Sequence, residues 1–172
     1  GSVRPLTVDD IHQIVIEFGE AALRAQKSGF DGVELHAGIG YFINRFLSLV
    51  TNKREDEYGG TLENRMRLLL EIIKEVRHKV GNDFTLICRM SADEFMEGGN
   101  TLNETRQIAA VLEKQGIDCL DIQVGWHESR VPLVQDSVPR GAFVHFAEEI
   151  KQIVNIPIIA AYRINEPGMA NQ

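Results

Sequence analysis

The chain has 172 residues, 44% of them hydrophobic and 25% charged, which is the length and composition of one globular domain with a sizeable core. A formal charge of −7 at pH 7 argues against a nucleic-acid partner or an anionic membrane surface, since both need a clustered basic face. No apolar run approaches the roughly 18 residues of a membrane span and no signal-peptide pattern opens the chain, so the expected location is the cytoplasm and the expected partners are small molecules.

In chain order, Gly1-Ser2 has the look of a protease scar left after removal of a tag, with residues 3–172 as a single folded unit. Thr7, with Asp10 three residues on, caps a helix whose apolar stripe is Ile11, Ile14, Val15, Phe18, Ala22 and Ala25, closed by Gly29. Val33 to Leu35 reads as a short strand. A second helix starts near Thr61, carries Met66, Leu69, Ile72, Ile73 and Val76, and ends near Gly81. Phe84 to Met90 is the next strand. Thr101 and Glu104 form a capping box that opens a third helix through Ile108, Ala109, Val111 and Leu112, stopped at Gly116. Ile117 to Val124 is a third strand, about Ala142 to Val154 a fourth helix, and Ile156 to Ala161 a fourth strand.

Strands alternating with helices, no hairpin signal and near-continuous Val/Ile/Leu runs imply an α/β fold with a parallel sheet covered by helices. No GxGxxG follows any strand, which lowers the dinucleotide-binding alternative. His36 falls just past the first strand, Arg89 at the end of the second, Trp126 and His127 past the third, and Tyr162 and Arg163 past the fourth. In a (β/α)8 barrel the carboxyl ends of all strands share one rim, so these residues would converge there. Cys88 and Cys119 lie in apolar runs with no CxxC or histidine pair, the setting of buried reduced thiols, and no metal site is expected.

The segment GFDGVELHAGIGYFINRFLSLVTNKREDEYGGTLENRMRLLLEIIKEVR closely resembles the central segment of the old yellow enzyme family of FMN-dependent oxidoreductases. GWHESRVPLVQDSVPRGAF and the later RINEP resemble its 2,4-dienoyl-CoA reductase branch, which includes NADH oxidase-like enzymes and is related to trimethylamine dehydrogenase. The resemblance runs from about Pro5 to Pro167. It implies a partial (β/α)8 barrel in which the four strands are strands four to seven of the parent. A closed barrel needs about 200 residues or more, so the expectation is a central fragment, inactive by itself. Such a fragment would expose its sheet edges and an apolar inner face and so self-associate as a homo-oligomer. A noncatalytic assembly module and an amine dehydrogenase parent are the competing readings.

For the parent, the resemblance implies hydride passing from NAD(P)H to FMN and on to the β-carbon of an enoyl or dienoyl substrate, while an enzyme acid protonates the α-carbon. Tyr41 matches the family's proton-delivering tyrosine, and His127, in GWHE, the histidine that partners it. A phenol is a weak acid at neutral pH, and a neighbouring imidazolium would stabilise its anion. The alternatives are an aromatic packed in a loop and a solvent-facing imidazole beside Trp126, itself a candidate substrate contact. Arg89 matches the arginine that faces the N1/O2 edge of the flavin, where reduction accumulates negative charge; otherwise it would form a buried ion pair with Asp93 or Glu34. His36 keeps the first donor of a two-donor substrate clamp whose second position is Ile39, so His36 could bind substrate, touch flavin or bond a neighbour. Arg163 stands where barrels hold phosphate, a second cofactor-binding candidate. An iron-sulfur cluster and FAD would belong to downstream segments. Residues 52–60 read as a structurally pinned charged loop, Arg65 and Arg67 as solvated or paired on their own helix, and His12, His78 and His145 as surface residues.

Overall fold

A computed structural model describes residues 4–171; Gly1-Ser2, expected to be a scar, lies outside the described residues. The first helix, α1 (Val8–Lys27), begins where a reciprocal cap forms. Thr7 Oγ1 accepts from the Asp10 amide at 3.1 Å, and the Asp10 carboxylate accepts from the Thr7 amide at 2.7 Å. Strand β1 (Gly32–Ala37) leads through a tight loop into a short helix, α2 (Phe42–Leu47). Then come α3 (Leu62–Val80), β2 (Thr85–Ser91), α4 (Leu102–Lys114), β3 (Cys119–Gln123), α5 (Val144–Lys151), β4 (Ile158–Ala160) and α6 (Pro167–Ala170). The sequence gives no cue for α2 or α6, because neither is long enough to develop a 3.6-residue period.

The four strands are parallel and lie in chain order, β1-β2-β3-β4. Each crossover is right-handed by the general rule for parallel strands, so an order that never reverses puts every crossover helix on the same side. This is the winding of a (β/α)8 barrel, here as a four-strand arc, and not the two-sided winding of a Rossmann sheet.

The two faces of the sheet are chemically unlike. Leu35, Ala37, Leu86, Cys88, Met90, Leu120 and Ile122 are buried under the helices. There they meet Ile11 and Ala22 of α1, Leu69, Ile72 and Val76 of α3, and Ile108 and Leu112 of α4 in one core. The opposite face carries Glu34, His36, Arg89, Ser91, Asp121 and Gln123, with Ile87, Cys119 and Ile159 among them. The parallel register lines them up in rows, His36 beside Arg89, Arg89 beside Asp121, Asp121 beside Ile159, and Ser91 beside Gln123. The expectation of an apolar inner face is therefore corrected. The strands alternate, and sulfur-containing and aliphatic residues on one parity make the runs read as continuous in sequence. His36 also lies inside β1, not past it.

The loop between α2 and α3 is pinned as its composition suggests. Asn52 donates to the Phe46 and Tyr58 carbonyls at 2.6 and 2.7 Å, Arg54 donates to the Leu6 carbonyl at 2.8 Å, and the Tyr58 hydroxyl donates to Glu71 at 2.9 Å. Arg65 departs from the surface role expected of it. It is buried, donates to Asn100 Oδ1 at 2.7 Å and to the Leu47 carbonyl, and pairs across helices with Glu104 at 2.7 Å. Its place on the LENR helix faces inward, which a charged side chain does not advertise. Arg67 stays local, donating to the Glu57 carbonyl and to Asn64. His12, His78 and His145 are exposed.

Candidate active site

The site begins with the chain between β1 and α2, residues 38–41. Gly38 permits a close crossing: a Cβ there would sit 2.1 Å from Gln123 Nε2. Gly40 has φ +84, and a Cβ on it would meet the Trp126 ring at 2.7 Å. Between them Ile39 holds φ 45, a left-handed conformation that is costly for a β-branched residue and persists only where its surroundings over-determine it. Those surroundings are specific. The Ile39 amide donates to Ser91 Oγ at 2.9 Å, Ser91 in turn donates to the Gly125 carbonyl at 3.0 Å, and Ile39 bridges to Trp126. The loop is thereby fixed to the carboxyl ends of β2 and β3.

Tyr41 emerges from this loop as the N-cap of α2, its side chain about half exposed. Its ring lies between two imidazoles. The His36 ring centroid is 4.7 Å away and that of His127 4.8 Å away, the latter edge-on at 89°. The structure thus brings together three of the residues singled out in the sequence. Trp126 is buried beneath the loop, and a cleft of about 200 Å³ runs between Ile39, Trp126, His127, Leu133 and Val134.

Below the rim, Arg89 is the centre of the inner face. Its Nε donates to Gln123 Oε1 at 3.0 Å and lies 3.4 Å from Asp121, and a terminal nitrogen is 4.0 Å from Glu34. Of the two carboxylates considered as ion-pair partners, Glu34 is near and Asp93 is not: Asp93 turns back to accept from the Phe95 amide at 2.8 Å. Burial, reinforced by the Asp121 carboxylate, pushes the Glu34 carboxyl above its ordinary range. Burial and the positive charge of Arg89 push the His36 imidazole down, so His36 is neutral at pH 7. Around Arg89, three buried polar atoms have no partner: His36 Nδ1, Asp121 Oδ1 and Gln123 Nε2. Buried polar groups are ordinarily paired, and a cluster without partners on one open face is the imprint of a polar ligand.

Arg163 lies apart from this row, past β4. Its guanidinium is mostly buried, 3.7 Å from Asp136, with Nε unpaired. Tyr162 and Arg163 both hold positive φ, 70 and 59. Sequence reasoning missed Gln123, Asp121 and Ser91. The signal was there in CLDIQ and CRMS, where polar residues recur at every second position, but an apolar run reading obscured it.

The chain matches the family described as "NADH:flavin oxidoreductase / NADH oxidase family" over residues 2–172. The chain belongs to this family. It is 47% identical to the NADH oxidase of Thermoanaerobacter brockii over 98% of its own length and 26% of that protein, and 35% identical to the cinnamate reductase of Clostridium sporogenes over 98% and 28%. Among solved structures it superposes on a 2-naphthoyl-CoA reductase in complex with 2-naphthoyl-CoA with a TM-score of 0.94 at 40% identity, covering 97% of this chain and 26% of that one. The chain therefore spans about a quarter of the length of these relatives. The family membership expected from the NKREDEYGGTLENR motif holds. Among the described residues no helix is long and apolar enough to cross a membrane, and no cluster of metal-ligating side chains is present.

Proposed function

We propose that this chain is the central arc of the flavin-binding barrel of an FMN-dependent NAD(P)H oxidoreductase that reduces activated C=C bonds of the enoate or 2,4-dienoyl-CoA type. The observation that carries the reading is the contact of the Tyr41 ring with both His127 and His36, the latter on an inner face that holds unpaired polar atoms. The residues present fit a flavin. Arg89 offers a guanidinium to the electron-rich edge of the ring, and Gln123 Nε2 offers a free amide donor beside it. Arg163 Nε is a further free donor, suited to a phosphate. When bound, FMN supplies hydride to the β-carbon of the alkene and is recharged by NAD(P)H.

The work of this chain's own residues is acid catalysis and positioning. Tyr41, about half exposed and with its ring against His36 and His127, delivers a proton from its hydroxyl to the α-carbon, and His127 stabilises the phenolate left behind. His36, held neutral by its surroundings, does not add a second charge; it donates or accepts one hydrogen bond toward the substrate or flavin. The adjoining cleft has a mixed lining, with Ile39, Trp126 and Leu133 offering contact to the hydrocarbon body of an enoyl substrate and His127, Ser129 and Gln135 offering polar groups to its thioester or carboxylate end. Replacing Tyr41 by Phe in the intact flavin-loaded protein should slow alkene-dependent reoxidation about 10²-fold or more while leaving reduction by NAD(P)H within a factor of about 2. Equal loss in both half-reactions would remove Tyr41 from proton delivery. Turnover of amines in place of enoyl thioesters would assign the intact protein to the amine-dehydrogenase reading.

A further inference from the structure

Glu94 is fully buried, just past β2, and every one of its bonds is to a neutral donor. Oε1 accepts from Asn44 Nδ2 at 2.9 Å and Asn100 Nδ2 at 3.2 Å, and Oε2 accepts from Ser48 Oγ at 2.6 Å and the Asn100 amide at 2.9 Å. Burial raises its carboxyl pKa, and the bonds from Ser48, Asn100 and Asn44 offset only part of that rise. A buried carboxylate without a cation is costly unless its lone pairs are saturated, and here they are. Arg65 closes the far side of the network through Asn100 Oδ1 at 2.7 Å.

The near side of the network reaches the loop that carries Tyr41. Asn44, itself buried, uses its amide nitrogen on Glu94 and its amide oxygen to accept the Gly40 N–H at 2.7 Å. The next residue, Arg45, donates from Nε to the Gly40 carbonyl at 2.9 Å. Both polar groups of Gly40, the residue immediately before Tyr41, are therefore gripped by side chains of α2. Glu94 also settles the orientation of the Asn44 amide: a carboxylate accepts only, so Nδ2 must face it and Oδ1 must face Gly40.

We propose that Asn44, oriented by the buried Glu94 carboxylate, is a positioning residue that holds Tyr41 in its place between His36 and His127. The functional consequence rests on the proton-delivery reading of Tyr41; the structural claim does not. Ser48 supplies the control. It touches the same carboxylate from the same helix but serves the C-terminal turn of α2, also accepting from the Val50 amide at 3.2 Å. Loss of Ser48 weakens Glu94 without releasing Gly40.

Trp126, the only tryptophan of the chain, lies against Gly40 and reports on this loop. Asn44→Ala in the 172-residue chain should shift Trp126 emission and raise its quenching by acrylamide at least about 2-fold, whereas Ser48→Ala, with a comparable fall in Tm, should leave both unchanged. In the intact flavin-loaded protein Asn44→Ala should lower kcat for alkene reduction about 10²-fold with KM within a factor of about 2, the signature of a displaced catalytic group. Native Trp126 emission and quenching in folded Asn44→Ala would overturn the proposal, as would equal responses in the two variants. If Asn44→Ala does not fold, hydrogen exchange in the unmodified chain decides: the Gly40 amide must be protected, and exchange at the rate of an exposed loop amide refutes the bond. A Trp126 response together with an indifferent Tyr41→Phe would retain the positioning of the loop and discard proton delivery by Tyr41.

Discussion

The two faces of the four-strand sheet are built from the same strands and differ by a one-residue offset, yet they do opposite things. On the helix side Leu35, Leu86, Cys88, Met90, Leu120 and Ile122 are sealed into a continuous core; there burial is complete, and the Cys88 thiol is pushed up to about 12 by it. On the other side Glu34, His36, Arg89, Asp121 and Gln123 bring two carboxylates, an imidazole, a guanidinium and an amide into adjacent rows and leave several of their atoms without partners. The first face supplies the stability that the second one forgoes. A polar inner face with unfilled hydrogen-bonding capacity is what a scaffold looks like when its ligand, and not its own chain, completes the bonding.

The sharpest way to break this comparison is to exchange the costs of the two faces. Leu86, fully buried near the start of β2, should lose about 2–5 kcal/mol of folding stability on truncation to Ala, measured by denaturant unfolding of the chain. Arg89, three residues along the same strand and on the opposite face, should behave differently. Arg89→Gln removes a charge about one-third exposed whose partners are two carboxylates at 3.4 and 4.0 Å, so its effect on unfolding should stay within about 1 kcal/mol. Its effect should appear instead in the flavin dissociation constant of the intact protein, weakened about 10- to 100-fold, the worth of one hydrogen bond to a charged group. If Leu86→Ala were tolerated and Arg89→Gln unfolded the chain, the assignment of stability to one face and ligand to the other would be wrong.

The same contrast explains what could be read in the sequence. Helix boundaries were marked by local chemistry that the structure reproduces: the Thr7–Asp10 cap, Thr61 accepting from the Asn64 amide at 3.3 Å, and glycines at positive φ after the helices. The pairing of Tyr41 with His127, 86 positions apart in sequence, was within reach only through the family motif, because no periodicity links a loop after one strand to a loop after another. Gln123 and Asp121 escaped because a five-residue strand offers too few alternations to separate from an apolar run. Arg65 and Glu94 escaped for a different reason. Charged residues are read as surface by default, and their burial depends on partners from two other segments: Asn44 and Ser48 from α2 and its C-cap, and Asn100 from the turn before α4.

The smallest expected effect tests the electrostatics of the inner face itself. The His36 imidazole is held below its ordinary pKa by burial first and by Arg89 second. The folded state therefore keeps His36 neutral, while the unfolded chain takes up a proton as pH falls below about 6.5. The unfolded state then binds more protons, so this residue's contribution is present above pH 6.5 and is lost as pH falls from there toward the lower folded value. Glu34, in the neighbouring row, runs the other way. Its carboxyl is raised by burial and by Asp121, so the folded state holds the extra proton and stability falls as pH rises from the ordinary carboxylate range through the higher folded value. The two slopes oppose each other in mildly acidic solution, so in the unmodified chain each partly masks the other. Unfolding midpoints of the chain and of His36→Asn between pH 7.5 and 5.5 should diverge, the variant losing less stability on acidification, and Glu34→Gln should steepen the loss that His36→Asn relieves. Parallel pH profiles for all three would mean that the charges on this face do not sense one another, and that Arg89 does not organise it.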